Sequence, residues 1–212
     1  MKIEQGFVAF ITGGCSGLGL ATVQLLHEQG ASIFVADRDD YLFDELREKY
    51  KKRLFCMECD VSREEDVKAA IDKAVEIYGT IHAAIACAGI TALTPTLSSR
   101  GSVDMRAFEQ VLRVNLIGSV LVAKHAAIVM SKNTPVNDER GVILFVGSVQ
   151  SDEGARAQTA YSASKGGIEG MVLPMARDLG KYKIRVLSIK AGLFETPMTS
   201  AMTPKTQKAN LS

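Results

Sequence analysis

The chain has no tryptophan, five prolines, four cysteines and three histidines among its 212 residues. Each shortage removes a class of protein. Cysteines at positions 15, 56, 59 and 87 are too few and too irregular for a small disulfide scaffold, and they suit a reducing compartment. Cys56-Met-Glu-Cys59 has the spacing of a redox or zinc motif, but it lies in Leu54-Phe-Cys-Met-Glu-Cys, which reads as a strand. Residues three apart on a strand point to opposite faces, with Cα atoms about 10 Å apart, beyond disulfide reach. With no second cysteine pair and scattered histidines, no metal site is expected. An excess of one charge is also lacking. The net charge of +1 excludes a polyanion binder held by bulk electrostatics and argues against independent nucleic-acid binding. No apolar run approaches the length of a membrane span; the stretch 120–130 is broken by Lys124 and His125, so no membrane partner is expected. Nothing before Phe7 resembles a signal peptide, and secretion is not expected.

What the chain does have is alternation. Its apolar content of 47% and charged content of 23% are ordinary for a globular protein, and its length suits one domain with a full core. Strand-like runs fall at about 7–12, 32–36, 54–58, 81–86, 141–146 and 184–190, with helical patterns between them. The helix over 63–78 is the clearest. Ser62 and Glu65 have the spacing of a capping box, and Val67, Ala70, Ile71, Ala74, Val75 and Tyr78 trace one apolar stripe. Strands apolar on both faces, alternating with helices, predict an α/β fold: a doubly wound parallel sheet covered by helices on each side. The polar stretches 94–104 and 131–140 read as surface loops.

The motifs share one place in this order. Gly13-Gly-Cys-Ser-Gly17-Leu-Gly19 follows the first strand and opens a helix, Leu18 to Gln29, with Gly30 beyond its end. A glycine turn there lets the backbone approach a pyrophosphate, and the helix N-terminus adds oriented N–H groups. The second strand ends in Asp37, where a carboxylate meets ribose hydroxyls. Asp60 follows the third strand, Cys87-Ala-Gly89 the fourth, Ser148 the fifth and residues 192–196 the sixth. All lie beyond the carboxyl ends of strands, where open α/β sheets bind ligands. Tyr161-Ser-Ala-Ser-Lys165 puts a phenol and an ammonium four residues apart, on one face of a helix. A cation beside a phenol stabilises the phenolate and brings tyrosine toward the range of general acid–base catalysis.

Thr12-Gly-x-x-x-Gly17-x-Gly19, Asp60-Val61, Ala88-Gly89 and the set Asn115, Ser148, Tyr161, Lys165 together resemble the short-chain dehydrogenase/reductase family, from Gly6 to about Thr203. Within it, residues 8–22, Tyr161-Ser-Ala-Ser-Lys-Gly-Gly-Ile and Pro174-Met-Ala-Arg-Asp-Leu are most similar to mitochondrial members acting on 3-hydroxyacyl-CoA and hydroxysteroids. The resemblance implies an enzyme of the mitochondrial matrix (otherwise the cytoplasm) that moves a hydride between NAD and a small-molecule secondary alcohol or ketone. Gly13, Ser16, Gly17, Leu18, Gly19, Asp37, Asp60, Val61, Cys87, Ala88, Gly89, Tyr161, Lys165, Phe194 and Thr196 would contact the cofactor. Tyr161 would be the acid–base residue, with Lys165 lowering its pKa and holding the nicotinamide ribose. Ser148 would hydrogen-bond the reacting oxygen, and Asn115 would hold a water linking Lys165 to solvent. Gln158 would line the substrate pocket or serve as a polar residue at a helix start.

Asp37 implies NAD by repelling a 2′-phosphate, while Arg38 beside it keeps NADP open. Two competing readings are an NADPH-dependent 3-oxoacyl carrier-protein reductase and a non-catalytic scaffold subunit in tRNA processing. The chain departs from the family pattern at Ala86-Cys87, at Ala191 before Gly192, and in stopping at Ser212. The family's last strand and helix are then expected to be missing. The expected assembly is a homotetramer for a full-length chain, or a dimer through Leu116, Val120, Ala163, Gly167 and Met171 for one ending at Ser212.

Overall fold

The computed structural model describes residues 2–99 and 101–200. Ser212, on which the expectation of a missing last strand and helix rests, lies outside them. Six parallel strands form one sheet: β1 (Val8–Thr12), β2 (Ser32–Asp37), β3 (Leu54–Glu58), β4 (Ala83–Ala86), β5 (Gly141–Ser148) and β6 (Ile184–Ala191), in the spatial order 3-2-1-4-5-6. The order reverses between β1 and β4, and that reversal opens a crevice at the carboxyl ends of those two strands. Register brings the ends level. Thr12 pairs with Ala36 on one side and Ala86 on the other, Ala86 pairs with Phe145, and Ser148 pairs with Ala191.

Period-two alternation divides each strand between two cores. Phe10, Phe34, Ile143 and Phe145 meet helices α3 (Glu64–Tyr78), α5 (Gly118–Met130) and α6 (Thr159–Gly180) on one face. Ile11, Ile33 and Val35 meet α1 (Gly17–Glu28) and α2 (Phe43–Tyr50) on the other. Cys56 falls in the second core and Cys59 in the first, on opposite faces as strand geometry requires. The second helical layer does not reach β6, which is a sheet edge among the described residues, with Leu187 and Ile189 exposed. The expected cover on both faces therefore holds for the inner strands and not for this one.

Three local expectations are corrected. The helix over 63–78 begins at Glu64 with Arg63 at its cap and no side-chain cap bond. The Ser62 amide instead donates to the Asp60 carboxylate at 2.9 Å, and Glu64, Glu65 and Asp66 place charge at the helix start, so the capping box does not form. The stretch 94–104 is not all loop, since Leu97–Ser98 and Gly101–Ser102 make a small antiparallel ribbon. Finally, a continuous helical run, Met105–Met130, is long and apolar enough by composition to cross a membrane. It comprises α4 (Met105–Leu112), a five-residue π-helical stretch (Arg113–Ile117) and α5. Its apolar side is used inside the protein: Val111, Val114, Leu121, Val122, Ala126 and Met130 are buried, so this is a core helix.

Candidate active site

The glycine turn is made by contacts that allow no side chain. Gly13 has φ +67°, and a Cβ there would stand 2.8 Å from the backbone of Ala88, in the loop after β4. A Cβ at Gly19 would collide with the Gly13 carbonyl oxygen, so the first turn of α1 lies directly on the loop that precedes it. The Thr12 hydroxyl accepts from the Ala88 amide at 3.3 Å, and Asp37 accepts from the Cys15 amide at 2.8 Å. The loop is thus clamped from both neighbouring strands, with the N-terminal amides of α1 facing the crevice. No acidic residue occupies the first turn of α1. That cradle suits a pyrophosphate.

One cavity of about 280 Å³ runs across these strand ends. Gly13, Ser16, Gly17, Leu18, Gly19, Asp37, Asp60, Val61, Cys87, Ala88, Gly89, Ser148, Tyr161, Lys165, Phe194 and Thr196 all line it. These are the expected residues, drawn from six separate strand ends and from α6. Asp60 sits at the adenine end of the expected layout. Burial works to raise its carboxyl pKa, but the Ser62 hydroxyl and amide, with Arg38 and Arg63 nearby, hold it below the usual range. Arg38 also lines the cavity and pairs with Asp39 at 3.4 Å.

At the other end stand Ser148, Tyr161 and Lys165. Ser148 closes β5, and its hydroxyl accepts from the Gln150 amide at 3.2 Å, which fixes its position. Burial raises the Tyr161 phenol above its ordinary pKa, and a hydrogen bond from Ser148 pulls the other way. Lys165 is buried; its ammonium donates to the Val146 carbonyl at 2.6 Å and lies 5.6 Å from the Tyr161 ring centroid. Burial lowers this lysine to about 8, against the opposing influence of Cys87 and Glu169. The net shift of Tyr161 is thus upward, with burial outweighing the influences that lower it. The ammonium is spent on a backbone carbonyl, and the phenol is set by burial. Cys87 is no nucleophile here, since burial pushes its thiol up to about 12.

Two expected residues stand outside the cavity lining. Asn115, 1% exposed in the π-helical stretch, accepts from the Ile90 amide at 2.8 Å and donates to the Ile90 carbonyl and to the Ser164 hydroxyl, each at 3.0 Å. Ser164 in turn donates to the Tyr161 carbonyl at 2.7 Å. The Asn115 side chain is thus a clamp tying the loop after β4 to the helix that carries Tyr161. Gln158 is the residue capping α6, and its side chain accepts from Thr91 at 2.8 Å. It stands at the helix start, one of its two expected places. Ser164 and Thr94, whose hydroxyl accepts from the Ala160 amide at 3.0 Å, were not singled out by sequence. Only Ser164 carried a readable signal, one turn beyond Tyr161 on the same face.

Comparison with known proteins agrees with this geometry. The family described as short chain dehydrogenase matches residues 7–207. The 3-hydroxyacyl-CoA dehydrogenase type-2 of Bos taurus is 42% identical over 204 residues, covering 95% of this chain and 78% of that protein. The (+)-borneol dehydrogenase 1 of Salvia officinalis is 37% identical over 184 residues, covering 87% of this chain and 68% of that protein. Among solved structures, 3-hydroxyacyl-CoA dehydrogenase type-2 from Mycobacterium avium superposes with a TM-score of 0.88 at 31% identity, covering 95% of this chain and 80% of that one. The chain belongs to the short-chain dehydrogenase family and is an oxidoreductase that uses a nicotinamide cofactor and a small-molecule substrate.

Proposed function

We propose that the protein transfers a hydride between NAD and the secondary alcohol of a 3-hydroxyacyl-CoA. The observation that carries this reading is the single cavity with Asp37 at one end and Ser148, Tyr161 and Lys165 at the other. When bound, the nicotinamide supplies the hydride acceptor or donor. Everything else falls to the chain's own residues. Tyr161 takes the proton of the substrate hydroxyl during oxidation and returns it during reduction. Its raised pKa favours the protonated form, the acid toward a ketone; the oxidation direction uses the phenolate, which the Lys165 ammonium stabilises. The Ser148 hydroxyl, held by the Gln150 amide, donates to the reacting oxygen as charge develops there. Lys165 supplies positive charge beneath both. The likeness to proteins named 3-hydroxyacyl-CoA dehydrogenase type-2 supports the acyl-CoA substrate.

Two features support NAD over NADP. Asp37 places a carboxylate on the cavity wall, where a 2′-phosphate would meet its charge. Arg38 is paired with Asp39, which offsets the cation that would otherwise attract that phosphate. Titration of the purified protein with NADH and NADPH tests this. NADH is expected to bind at least tenfold more tightly, and Asp37→Ala to narrow the gap, since about 1–3 kcal/mol of repulsion is removed. Tighter binding of NADPH would favour the carrier-protein reductase. NADH binding without turnover of any 3-hydroxyacyl-CoA would favour a scaffold role.

A further inference from the structure

Glu169 sits on α6 four residues beyond Lys165 and eight beyond Tyr161, so the three side chains form one line along the helix. Glu169 is drawn inward against the sheet. Its Oε2 accepts from the Ser188 hydroxyl of β6 at 2.9 Å. Its Oε1 is buried without a hydrogen-bond partner among the described residues and lies over Gly147 of β5, where any Cβ would collide with it. The preceding residue of that strand, Val146, receives the Lys165 ammonium at 2.6 Å. Carboxylate and ammonium therefore rest against consecutive residues of the same strand, with Oε1 itself shut off from solvent although Glu169 as a whole is half-buried. A carboxylate left partly unsatisfied in such a place carries a desolvation cost that a merely structural residue would not need.

We propose that Glu169 is a positioning residue that keeps Lys165 in its charged form. The proposal rests on the reading of Tyr161 and Lys165 as the acid–base pair, and it adds the source of the charge that opposes burial. The groups facing Lys165 are few. Tyr161 shares its helix, Cys87 approaches from the loop after β4, and the Val146 carbonyl comes from β5. Glu169 is the one carboxylate among these groups, and burial keeps the Cys87 thiol protonated. On its far side Glu169 faces Ser188 and the Lys190 ammonium, and Lys190 is already paired with Asp152 at 2.6 Å. Against the burial that lowers Lys165, Glu169 pushes in the opposite direction. Losing its charge leaves the lysine neutral at a lower pH. The phenol above would then lose its cation at a lower pH too.

The test is the titration of Lys165 itself, followed through lysine side-chain ¹³C signals and assigned with Lys165→Arg. In Glu169→Gln, which keeps the bond to Ser188, the Lys165 midpoint is expected to fall by about one pH unit, and the alkaline limb of turnover to move down with it. Glu169→Asp keeps the charge and should hold the midpoint near that of the unmodified protein. An unchanged midpoint in Glu169→Gln, or an equal fall in both variants, would overturn the proposal. Failure of the acid–base reading would show differently, as retained turnover in Tyr161→Phe whatever Lys165 does.

Discussion

Burying the Lys165 ammonium beneath Tyr161 works against the stability of the folded chain. Its pKa falls from 10.5 to about 8, so the unfolded chain holds this proton across a window in which the folded protein has released it. Stability consequently rises with pH from about 8 toward the ordinary lysine range, and below about 8 the full cost is present. Replacing the lysine by an apolar side chain of similar length removes that cost and forfeits one bond to the Val146 carbonyl. Lys165→Met is expected to stabilise the cofactor-free protein by roughly 1–2 kcal/mol at pH 7. The gain should shrink as pH rises past that window, while turnover falls more than about a hundredfold. Thermal unfolding at several pH values, with parallel initial rates, checks both halves. A lower Tm at pH 7 in the variant would mean that the lysine contributes to the fold.

At the scale of elements, the turn from β1 into α1 and the close of α3 use glycine for different reasons. Gly19 is needed because the Gly13 carbonyl occupies the space of a side chain, whereas Gly79 has φ +80° with nothing within 4 Å of a built Cβ. Gly79→Ala is expected to cost about 1 kcal/mol from backbone strain alone and to leave NADH affinity unchanged. Gly19→Ala should cost more than about 2 kcal/mol and weaken NADH binding at least tenfold, because it pries the loop from the helix. Urea unfolding with NADH titration distinguishes them, and equal effects of the two on affinity would contradict the account.

The same contrast shows what was legible in the sequence. Strand positions, the glycine turn and Asp37 are written in local pattern, because alternation and glycine geometry act over a few residues. The fate of the Lys165 ammonium, the clamp made by Asn115 and the Thr91 partner of Gln158 depend on contacts between elements 19, 25 and 67 residues apart, and no local pattern encodes them. The capping box failed for a related reason: the Ser62 amide is taken by Asp60 before the helix begins.

Across the whole molecule, the expected helical face for self-association is partly consumed within the chain. A Cβ on Gly167 would stand 2.8 Å from Leu116, so this leucine already fills the hollow over that glycine, and Met171 packs against the core. Ala163 remains exposed. What the fold as a whole accomplishes is to bring six strand ends level, so that residues from Gly13 to Thr196 share one cavity. The account stands on Tyr161 moving the proton within that cavity. The most direct measurement follows NADH formation from a 3-hydroxyacyl-CoA in the unmodified protein and in Tyr161→Phe, with NADH affinity recorded for both. The account predicts turnover in the first and a loss of roughly 10²–10⁴-fold in the second, with NADH affinity preserved. Near-normal turnover in Tyr161→Phe would contradict it.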